Sequence, residues 1–205
     1  MSHHFIMANT SPIQQYLDSM KMVCPEIEDH QLVKFSQSLR EVQFKSREYI
    51  FAPKKEQKHI AYIYQGLVRA YYIDQGGEER TSWFIPERDF ATDYPAFLRG
   101  QASNYFFETL EPTQVVFLPK EGIETGYANY PSLQKYGRLV AEHILSIQQE
   151  RIQSFQFKTA KERYLDFLEQ SPQLAQRVSQ TMTASYIGIE RQSLTRIRKQ
   201  LYEQR

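Results

Sequence analysis

A series of short aromatic and β-branched segments between residues 40 and 120 constrains the fold more than any other feature of the chain. Apolar residues alternate with polar ones from Val42 to Phe51, the period of two that is typical of a half-buried strand. Five more segments follow: HIAYIYQG (59–66), LVRAYYID (67–74), ERTSWFI (79–85), NYFFETL (104–110) and TQVVFLPK (113–120). Turn residues separate them, as in DQGG (74–77), and no pattern of helix length interrupts them. Short strands at this spacing predict an antiparallel sandwich or barrel-like roll and argue against a parallel α/β sheet.

Helical periodicity precedes this strand region. Apolar residues from Ile13 to Met20 recur at helical spacing, which predicts a first helix after Ser11. A second short helix is expected to begin near Glu26 and to continue to Leu39. The chain therefore places two helices before its first strand.

A long helix is predicted after the strand region. Pro131 suits the first turn of a helix, where its missing N–H costs nothing, and the helical pattern continues to Phe155. Its apolar stripe consists of Leu133, Tyr136, Val140, His143 and Ile147. Because these positions are spaced alternately by three and four residues, the stripe favours a helix that pairs with its twin in a homodimer. Packing of the helix on its own domain is the alternative that the pattern leaves open.

The composition limits the cellular setting. Cys24 is the single cysteine, and one cysteine can neither form an internal disulfide nor hold an iron–sulfur cluster or a cysteine-based zinc site. A reducing cytoplasm is therefore the expected location. No apolar run approaches the roughly 20 residues needed to span a bilayer, and the first residues lack the layout of a signal peptide, so we expect no membrane partner.

The strand region does not indicate an enzyme. A cupin-like enzyme on such a roll would need several histidine and carboxylate metal ligands on neighbouring strands, and the region contains one histidine, His59. The paired carboxylates Glu78 and Glu79 adjoin a glycine turn, where a solvated loop is the plain interpretation. No glycine-rich phosphate loop or nucleophile motif occurs. We therefore predict no catalytic residue, no metal site and no cofactor.

The C-terminal segment combines a basic balance with a helix-turn-helix pattern. From residue 158 onward nine Lys and Arg residues stand against five Asp and Glu residues, a net charge of +4, whereas the rest of the chain carries −3. A basic tail behind a mildly acidic front favours contact of the tail with a polyanion. In VSQTMTASYIGIERQSLTRIRKQL (178–201), a short helix (181–186) precedes Gly188, and a second helix (191–202) follows. Glycine readily adopts the positive φ that ends one helix and turns the chain.

The second of these helices has the side chains that a recognition helix needs. Arg191 and Arg196 can each donate a pair of hydrogen bonds to guanine, and Gln192 can pair in the same way with adenine. Lys199 suits a phosphate near the helix end. The candidate DNA contacts are Arg191, Gln192, Ser193, Thr195, Arg196 and Lys199, together with Thr181 and Thr183 of the preceding helix. The alternative is a pair of amphipathic helices whose basic face is merely solvated.

The chain as a whole resembles the Crp/Fnr superfamily of bacterial transcription regulators. The strongest local match is ASYIGI (184–189) followed by RQSLTRI (191–197), which places Arg191, Gln192 and Arg196 on the family's base-reading positions. The resemblance implies an α+β fold with an N-terminal antiparallel β-roll of the double-stranded β-helix or jelly-roll type, a long central dimerisation helix and a C-terminal helix-turn-helix. The implied domains are N-terminal helices with a cyclic-nucleotide-binding-like β-roll sensor (1–129), the dimerisation helix (130–156) and the DNA-binding domain (157–205).

The same resemblance implies partners and an action. We expect a homodimer that binds double-stranded DNA at an inverted repeat and works with RNA polymerase, under the control of a small-molecule effector in the β-roll. Gln192 stands where many members have glutamate, so the base preference at that position is expected to differ. One other function stays open, an effector-binding module that acts through protein partners and has a vestigial helix-turn-helix.

The sensory segment departs most from the family pattern. Members that bind cyclic AMP have Gly-Glu-Leu and, further on, Arg-Ser. Here Thr92 replaces the glycine, Asp93 the glutamate and Ser103 the arginine. Without that fixed cation a buried cyclic phosphate would be strongly destabilised, so we expect an effector other than cyclic AMP. The candidate effector pocket consists of Thr92, Asp93, Tyr94, Ser103 and Asn104.

Two alternatives for this sensor stay open. Arg88 and Arg99 lie nearby in the sequence and could supply a substitute cation. Haem binding through His59 or Cys24 is the second, although a lone histidine in a strand is more often a packed residue than a ligand.

Overall fold

The computed structural model describes residues 11–203. Its helices are α1 (Pro12–Val23), α2 (Asp29–Ser36), α3 (Tyr94–Arg99), α4 (Lys120–Asn129), α5 (Pro131–Phe157), α6 (Ala160–Gln170), α7 (Pro172–Arg177), α8 (Gln180–Tyr186) and α9 (Arg191–Glu203). Its strands are β1 (Arg40–Phe44), β2 (Tyr49–Phe51), β3 (His59–Gln65), β4 (Val68–Ile73), β5 (Glu79–Ile85), β6 (Phe90–Ala91), β7 (Phe106–Thr109) and β8 (Thr113–Pro119). None of these helices is both long and apolar enough to cross a bilayer. The order of elements confirms the predicted α+β class.

The strands form two antiparallel sheets of four strands each. Their orders are β1-β8-β3-β6 and β2-β7-β4-β5. Early strands lie beside late ones: Val42 of β1 is opposite Val115 of β8, and Ala70 of β4 is opposite Phe107 of β7. This interleaving of the two halves of the strand region confirms the expected β-roll.

Side chains on the two faces of the first sheet pack into separate cores. The core inside the roll includes Ala61, Ile63, Val68, Ala70, Phe107 and Val115. On the outer face, Tyr62, Val116 and Leu118 pack against α1, α2 and the start of α5. Because successive side chains of a strand alternate between faces, β3 and β8 contribute to both cores.

Among the elements that precede α5, two short ones and one longer helix were not predicted. α3 and β6 contain only six and two residues, too few for a periodic signal. α4 contains Gly122 and Gly126, and glycine inside a helix costs about 1 kcal/mol relative to alanine. A Cβ on Gly126 would lie 3.1 Å from Leu133 Cδ1 of α5. The close approach of α4 and α5 therefore favours glycine where local propensity argues against a helix.

α2 begins later than predicted. Its first residue is Asp29 rather than a residue near Glu26, because the side chains of Glu28 and Gln31 form a capping box. Ile27 is buried although it precedes the helix. The apolar pattern located the packed residues correctly, whereas the capping residues decided where the helix starts.

α5 has the predicted length, but the first part of its stripe belongs to the chain's own core. Leu133 and Tyr136 are 1% and 7% exposed and pack in one cluster with Tyr16 and Met20 of α1. These two residues have no surface left for a second copy. The dimer contact expected at Leu133 and Tyr136 is thus replaced by packing of α5 on its own domain.

The later part of α5 is more open. Val140 and Ile147 are half-buried and His143 is exposed. Leu145 and Ile152, seven residues apart on the same helix, are also exposed. The apolar surface that this helix leaves uncovered therefore lies toward its C-terminal end.

A third core joins the C-terminal helices to the roll. It consists of Leu67, Phe84, Tyr164, Phe167, Ala184, Ile187 and Leu194. Leu67 and Phe84 belong to the roll, whereas the others lie in α6, α8, α9 and the turn after α8. The C-terminal helices consequently pack on the roll of the same chain.

Candidate nucleic-acid interface

α8 and α9 form a helix-turn-helix around Gly188. The hydroxyl of Ser179 caps the start of α8 by accepting the N–H of Met182 at 3.2 Å. Gly188 has a φ of +75°, a conformation that strains a residue with a side chain. The N–H of Ile189 donates back to the carbonyl of Ala184 at 3.0 Å. The structure thus has the helix, glycine turn and helix that the sequence predicted.

The inner side of this motif is apolar. Ala184, Ile187 and Leu194 are buried together, and the small Ala184 allows α8 and α9 to approach each other. Ile189, Ile197 and Leu201 are half-buried against the same cluster. This inner side holds α9 firmly on α8 and leaves its opposite side to solvent.

The outer side of α9 is polar and basic. Its exposed residues are Arg191, Gln192, Thr195, Arg196, Arg198 and Lys199, and Ser193 is half-buried. The contacts they make are local: Arg196 donates to the hydroxyl of Ser193 at 3.3 Å, and Thr195 donates to the carbonyl of Arg191 at 3.1 Å. Lys199 lies 3.8 Å from Glu203. Exposed contacts of this kind contribute little, so these groups can exchange them for the oxygens of a ligand.

The two threonines of α8 differ. Thr181 is exposed. Thr183 is 5% exposed, and its hydroxyl donates to the carbonyl of Ser179 at 3.0 Å. Thr183 belongs to the interior of the domain, which leaves its side chain no access to DNA, whereas Thr181 stays a candidate contact.

Comparisons with known proteins agree with this architecture. Residues 41–130 match the family model of the cyclic nucleotide-binding domain. No curated protein matches the sequence significantly. Among solved structures, FixK2 from Bradyrhizobium japonicum is 19% identical, with a TM-score of 0.68 over 81% of this chain and 85% of that one. The c-di-GMP-responsive global regulator CLP of Xanthomonas campestris is 14% identical, with a TM-score of 0.70 over 86% of this chain and 93% of that one.

A third structure extends the same pattern. A transcriptional regulator of the CRP/FNR family from Thermus thermophilus is 20% identical, with a TM-score of 0.64 over 80% of this chain and 87% of that one. The chain has the Crp/Fnr fold. The resemblance that the sequence indicated is thereby confirmed in its β-roll, its long helix and its C-terminal helices.

In this Crp/Fnr fold the central residues of the predicted effector pocket are bonded to each other. The carboxylate of Asp93 caps α3 by accepting the N–H of Ala96 at 3.3 Å, and it accepts the hydroxyl of Ser103 at 2.8 Å. The N–H of Asp93 donates to the side-chain oxygen of Gln57 at 2.9 Å. A phosphate needs hydrogen-bond donors, and here the N–H of Ala96 and the hydroxyl of Ser103 already donate to the carboxylate of Asp93. These residues do not fit a cyclic phosphate.

The other predicted pocket residues are spread over different environments. Thr92 is half-buried, and its hydroxyl has no hydrogen-bond partner within the described part of the chain. Tyr94 and Asn104 are exposed. Across residues 11–203, no three His, Cys, Asp or Glu residues are grouped so that they could hold a metal ion. The structure therefore brings Asp93 and Ser103 together, whereas Tyr94 and Asn104 face solvent.

α8 docks on the edge of the Crp/Fnr roll through a contact that the sequence did not predict. The hydroxyl of Ser185 accepts the N–H of Thr81 at 2.8 Å and donates to the carbonyl of Glu79 at 3.2 Å. β5, which contains both partners, is the edge strand of its sheet. Ser185 thus satisfies backbone groups that an edge strand otherwise leaves open.

Arg177 at the end of α7 clamps the same domain to two loops of the roll. Its guanidinium donates to both oxygens of Glu87 at 3.0 and 2.9 Å and to both oxygens of Glu111 at 3.2 and 2.7 Å. The hydrogen bonds that Arg177 donates to Glu111 and Glu87 raise the pKa of Arg177. Burial raises the pKa of Glu87, but the hydrogen bonds from Arg177 and from backbone N–H groups outweigh it, so this pKa lies below its usual value of 4.5.

Sequence reasoning missed Ser185 and Arg177 for one reason. Their partners lie between 66 and 106 residues away along the chain. No local pattern marks such a pair, because an arginine or a serine on a short helix is ordinarily a solvated residue.

Proposed function

We propose that this protein is a sequence-specific DNA-binding transcription regulator of the Crp/Fnr type. The observation that carries the proposal is the exposed basic and polar side of α9, presented by a helix-turn-helix whose inner side is apolar and packs on α8. The first residues of a recognition helix reach base edges in the major groove. Arg191, Gln192 and Arg196 have the side chains that read guanine and adenine, and Lys199 suits a phosphate. The proposal includes no catalytic step and places the protein in the cytoplasm.

The proposed active form is a homodimer. Its interface is the later part of α5, where Leu145 and Ile152 are exposed at the seven-residue spacing of a coiled coil. Val140, His143 and Ile147, the remainder of the predicted stripe, follow a different face of the same helix. Two-fold symmetry would place the two copies of α9 in successive major grooves about 34 Å apart. The operator is therefore an inverted repeat, and RNA polymerase is the further partner that the resemblance implies.

The proposed effector of the β-roll is a small molecule other than cyclic AMP. The support is the bonded pair of Asp93 and Ser103, which presents a carboxylate where a phosphate would need donors. A ligand present at a hundred times its Kd stabilises a protein by about 2.7 kcal/mol, which a thermal melt detects. We expect cyclic AMP to leave the melting temperature unchanged, and mass spectrometry of the purified protein to identify any molecule that the roll retains.

Selection from random double-stranded DNA tests the central proposal. The expected result is a palindromic site that the protein binds as a dimer, with the mass of the complex measured by light scattering. Recovery of sites without two-fold symmetry would contradict the dimeric arrangement. Failure to bind any DNA at low salt would overturn the proposal and favour an effector-binding module that acts through protein partners.

A further inference from the structure

Three parts of the molecule meet at the side chain of Arg151 on α5. Its guanidinium lies 5.4 Å from the ring centre of Trp83 on β5 and 4.0 Å from that of Tyr186 on α8. The same group donates to the carbonyl of Tyr186 at 3.0 Å. The roll, the long helix and the first helix of the helix-turn-helix are thus in contact with one side chain.

The charge of Arg151 is balanced without a carboxylate. None of the ion pairs within residues 11–203 involves it. Its neighbours are aromatic faces, a carbonyl at the C-terminal end of α8 and the like charge of Arg163. Ring faces and helix C-termini both attract cations. Burial lowers the pKa of Arg151 from its usual value, yet a guanidinium stays protonated at neutral pH. Its planar group suits this place, because it can stack on the rings and donate in its own plane at the same time.

We call the cluster of Trp83, Arg151, Phe155, Arg163 and Tyr186 the joint. Its second arginine lies on the other side of the turn between α8 and α9. Arg163 of α6 donates to the carbonyl of Ile187 at 2.9 Å. Both guanidiniums lie close to the ring of Phe155 on α5, Arg151 at 5.0 Å and Arg163 at 4.8 Å. That ring also touches the turn itself, since a Cβ on Gly188 would lie 2.7 Å from Phe155 Cε1. The turn between α8 and α9 is therefore seated directly on the last turns of the long helix.

We propose that Arg151 is a positioning residue that fixes the direction of α9 relative to α5. The inference rests on the proposed function, because it assigns to Arg151 the separation of the two DNA-reading surfaces in a dimer built along α5. A displacement of β5 at Trp83 would move Arg151 and, through the carbonyl of Tyr186, the turn that carries α9. Arg151 thus connects β5 of the roll, through the long helix, to the turn that precedes the recognition helix.

The test compares Arg151→Met and Arg151→Lys with Arg40→Met, a change of an exposed arginine on β1 that lies outside the joint and outside α9. Trp83 is the only tryptophan, so its fluorescence reports on the joint directly. With folding verified by circular dichroism, we expect Arg151→Met to shift the emission of Trp83, to make the ring more accessible to acrylamide and to speed hydrogen exchange of the amides in 186–194. Arg151→Lys keeps the positive charge but lacks the planar guanidinium. Its Trp83 emission, acrylamide quenching and hydrogen exchange should therefore lie between those of the unchanged protein and those of Arg151→Met.

DNA binding supplies the functional readout. For Arg151→Met we expect a loss of roughly 3- to 30-fold in affinity for the selected operator, a broader tolerance of the spacing between half-sites and an unchanged affinity for random DNA. An equal loss on operator and random DNA, or a Trp83 signal that matches that of Arg40→Met, would overturn the inference. If the unchanged protein binds no DNA, the proposed function fails, and the fluorescence and exchange data still decide whether Arg151 connects the three parts.

Discussion

The outer side of α9 and the segment 92–104 of the roll are both short polar regions beside a helix start, and both were predicted to bind a ligand. On α9, Arg196 donates to the hydroxyl of Ser193 and Thr195 donates to the carbonyl of Arg191, and both are exposed contacts within the same helix. In the roll, Asp93 and Ser103 are bonded to each other and to the first turn of α3. The difference shows that residue types in a sequence indicate a candidate binding site. Whether that site can bind a ligand depends on the hydrogen bonds that its side chains already make within the protein.

The largest expected effect comes from α9. Arg196→Ala should relax discrimination at one base pair of each half-site by about 1–3 kcal/mol, because it removes a bidentate contact to a base. Competition binding with single-base operator variants measures this loss. An unchanged base preference at every position would show that Arg196 does not read a base. The outer side of α9 would then no longer differ from segment 92–104 as an available binding site.

A smaller effect on stability is expected in the roll. Asp93→Ala removes the cap of α3 and the bond from Ser103, which should lower the free energy of unfolding by about 1–2 kcal/mol. Urea denaturation measures it, with the exposed Asn104→Ala as the matched control, for which a change within about 0.5 kcal/mol is expected. Unchanged stability in Asp93→Ala would mean that the carboxylate is free for a ligand, and the two regions would then be alike.

Lys199 sharpens the contrast within α9 itself. Because it is expected to contact a phosphate, Lys199→Ala should weaken binding to all sequences alike and reduce the salt dependence by about 0.9 in the slope of log K against log salt. Titrations at several salt concentrations on operator and random DNA measure both quantities. A loss confined to the operator would instead assign Lys199 to base reading.

The smallest effect concerns pH and the clamp at Arg177. The pKa of Glu87 is lowered in the folded protein from its usual 4.5, so its contribution to stability is present at neutral pH and is lost as the pH falls through the folded pKa, below 4.5. Arg177→Met should therefore destabilise the protein at pH 7, and its effect should shrink progressively as the pH is lowered below 4.5. Thermal melts of both proteins across this acidic range and at pH 7 check this, and a destabilisation that stays constant over the whole range would show that the clamp is not ionic.

Local patterns predicted most of the fold but not its contacts. Alternation located the strands of the roll, and the pair Gly188 and Ala184 located the helix-turn-helix. The same reasoning missed α4, because Gly126 lowers helix propensity and is explained only by Leu133 of the neighbouring helix. It also assigned Leu133 and Tyr136 to a dimer, since an apolar stripe at helical spacing looks the same whether its own domain or a second copy covers it.

Sequence alone determined that helices precede a strand region and that a long helix and a helix-turn-helix follow it, and it also determined the likeness to Crp/Fnr proteins and the basic side of α9. These features depend on periodicity, glycine conformation and charge within a few neighbouring residues. Tertiary structure decided what each polar side chain is free to do. It showed that Thr183 is buried and that the carboxylate of Asp93 accepts a hydrogen bond from Ser103. It also showed that Arg151, Arg177 and Ser185 join the roll to the C-terminal helices. Those outcomes depend on groups far apart in the chain, and their geometry exists only once the roll has closed and the C-terminal helices have packed on it.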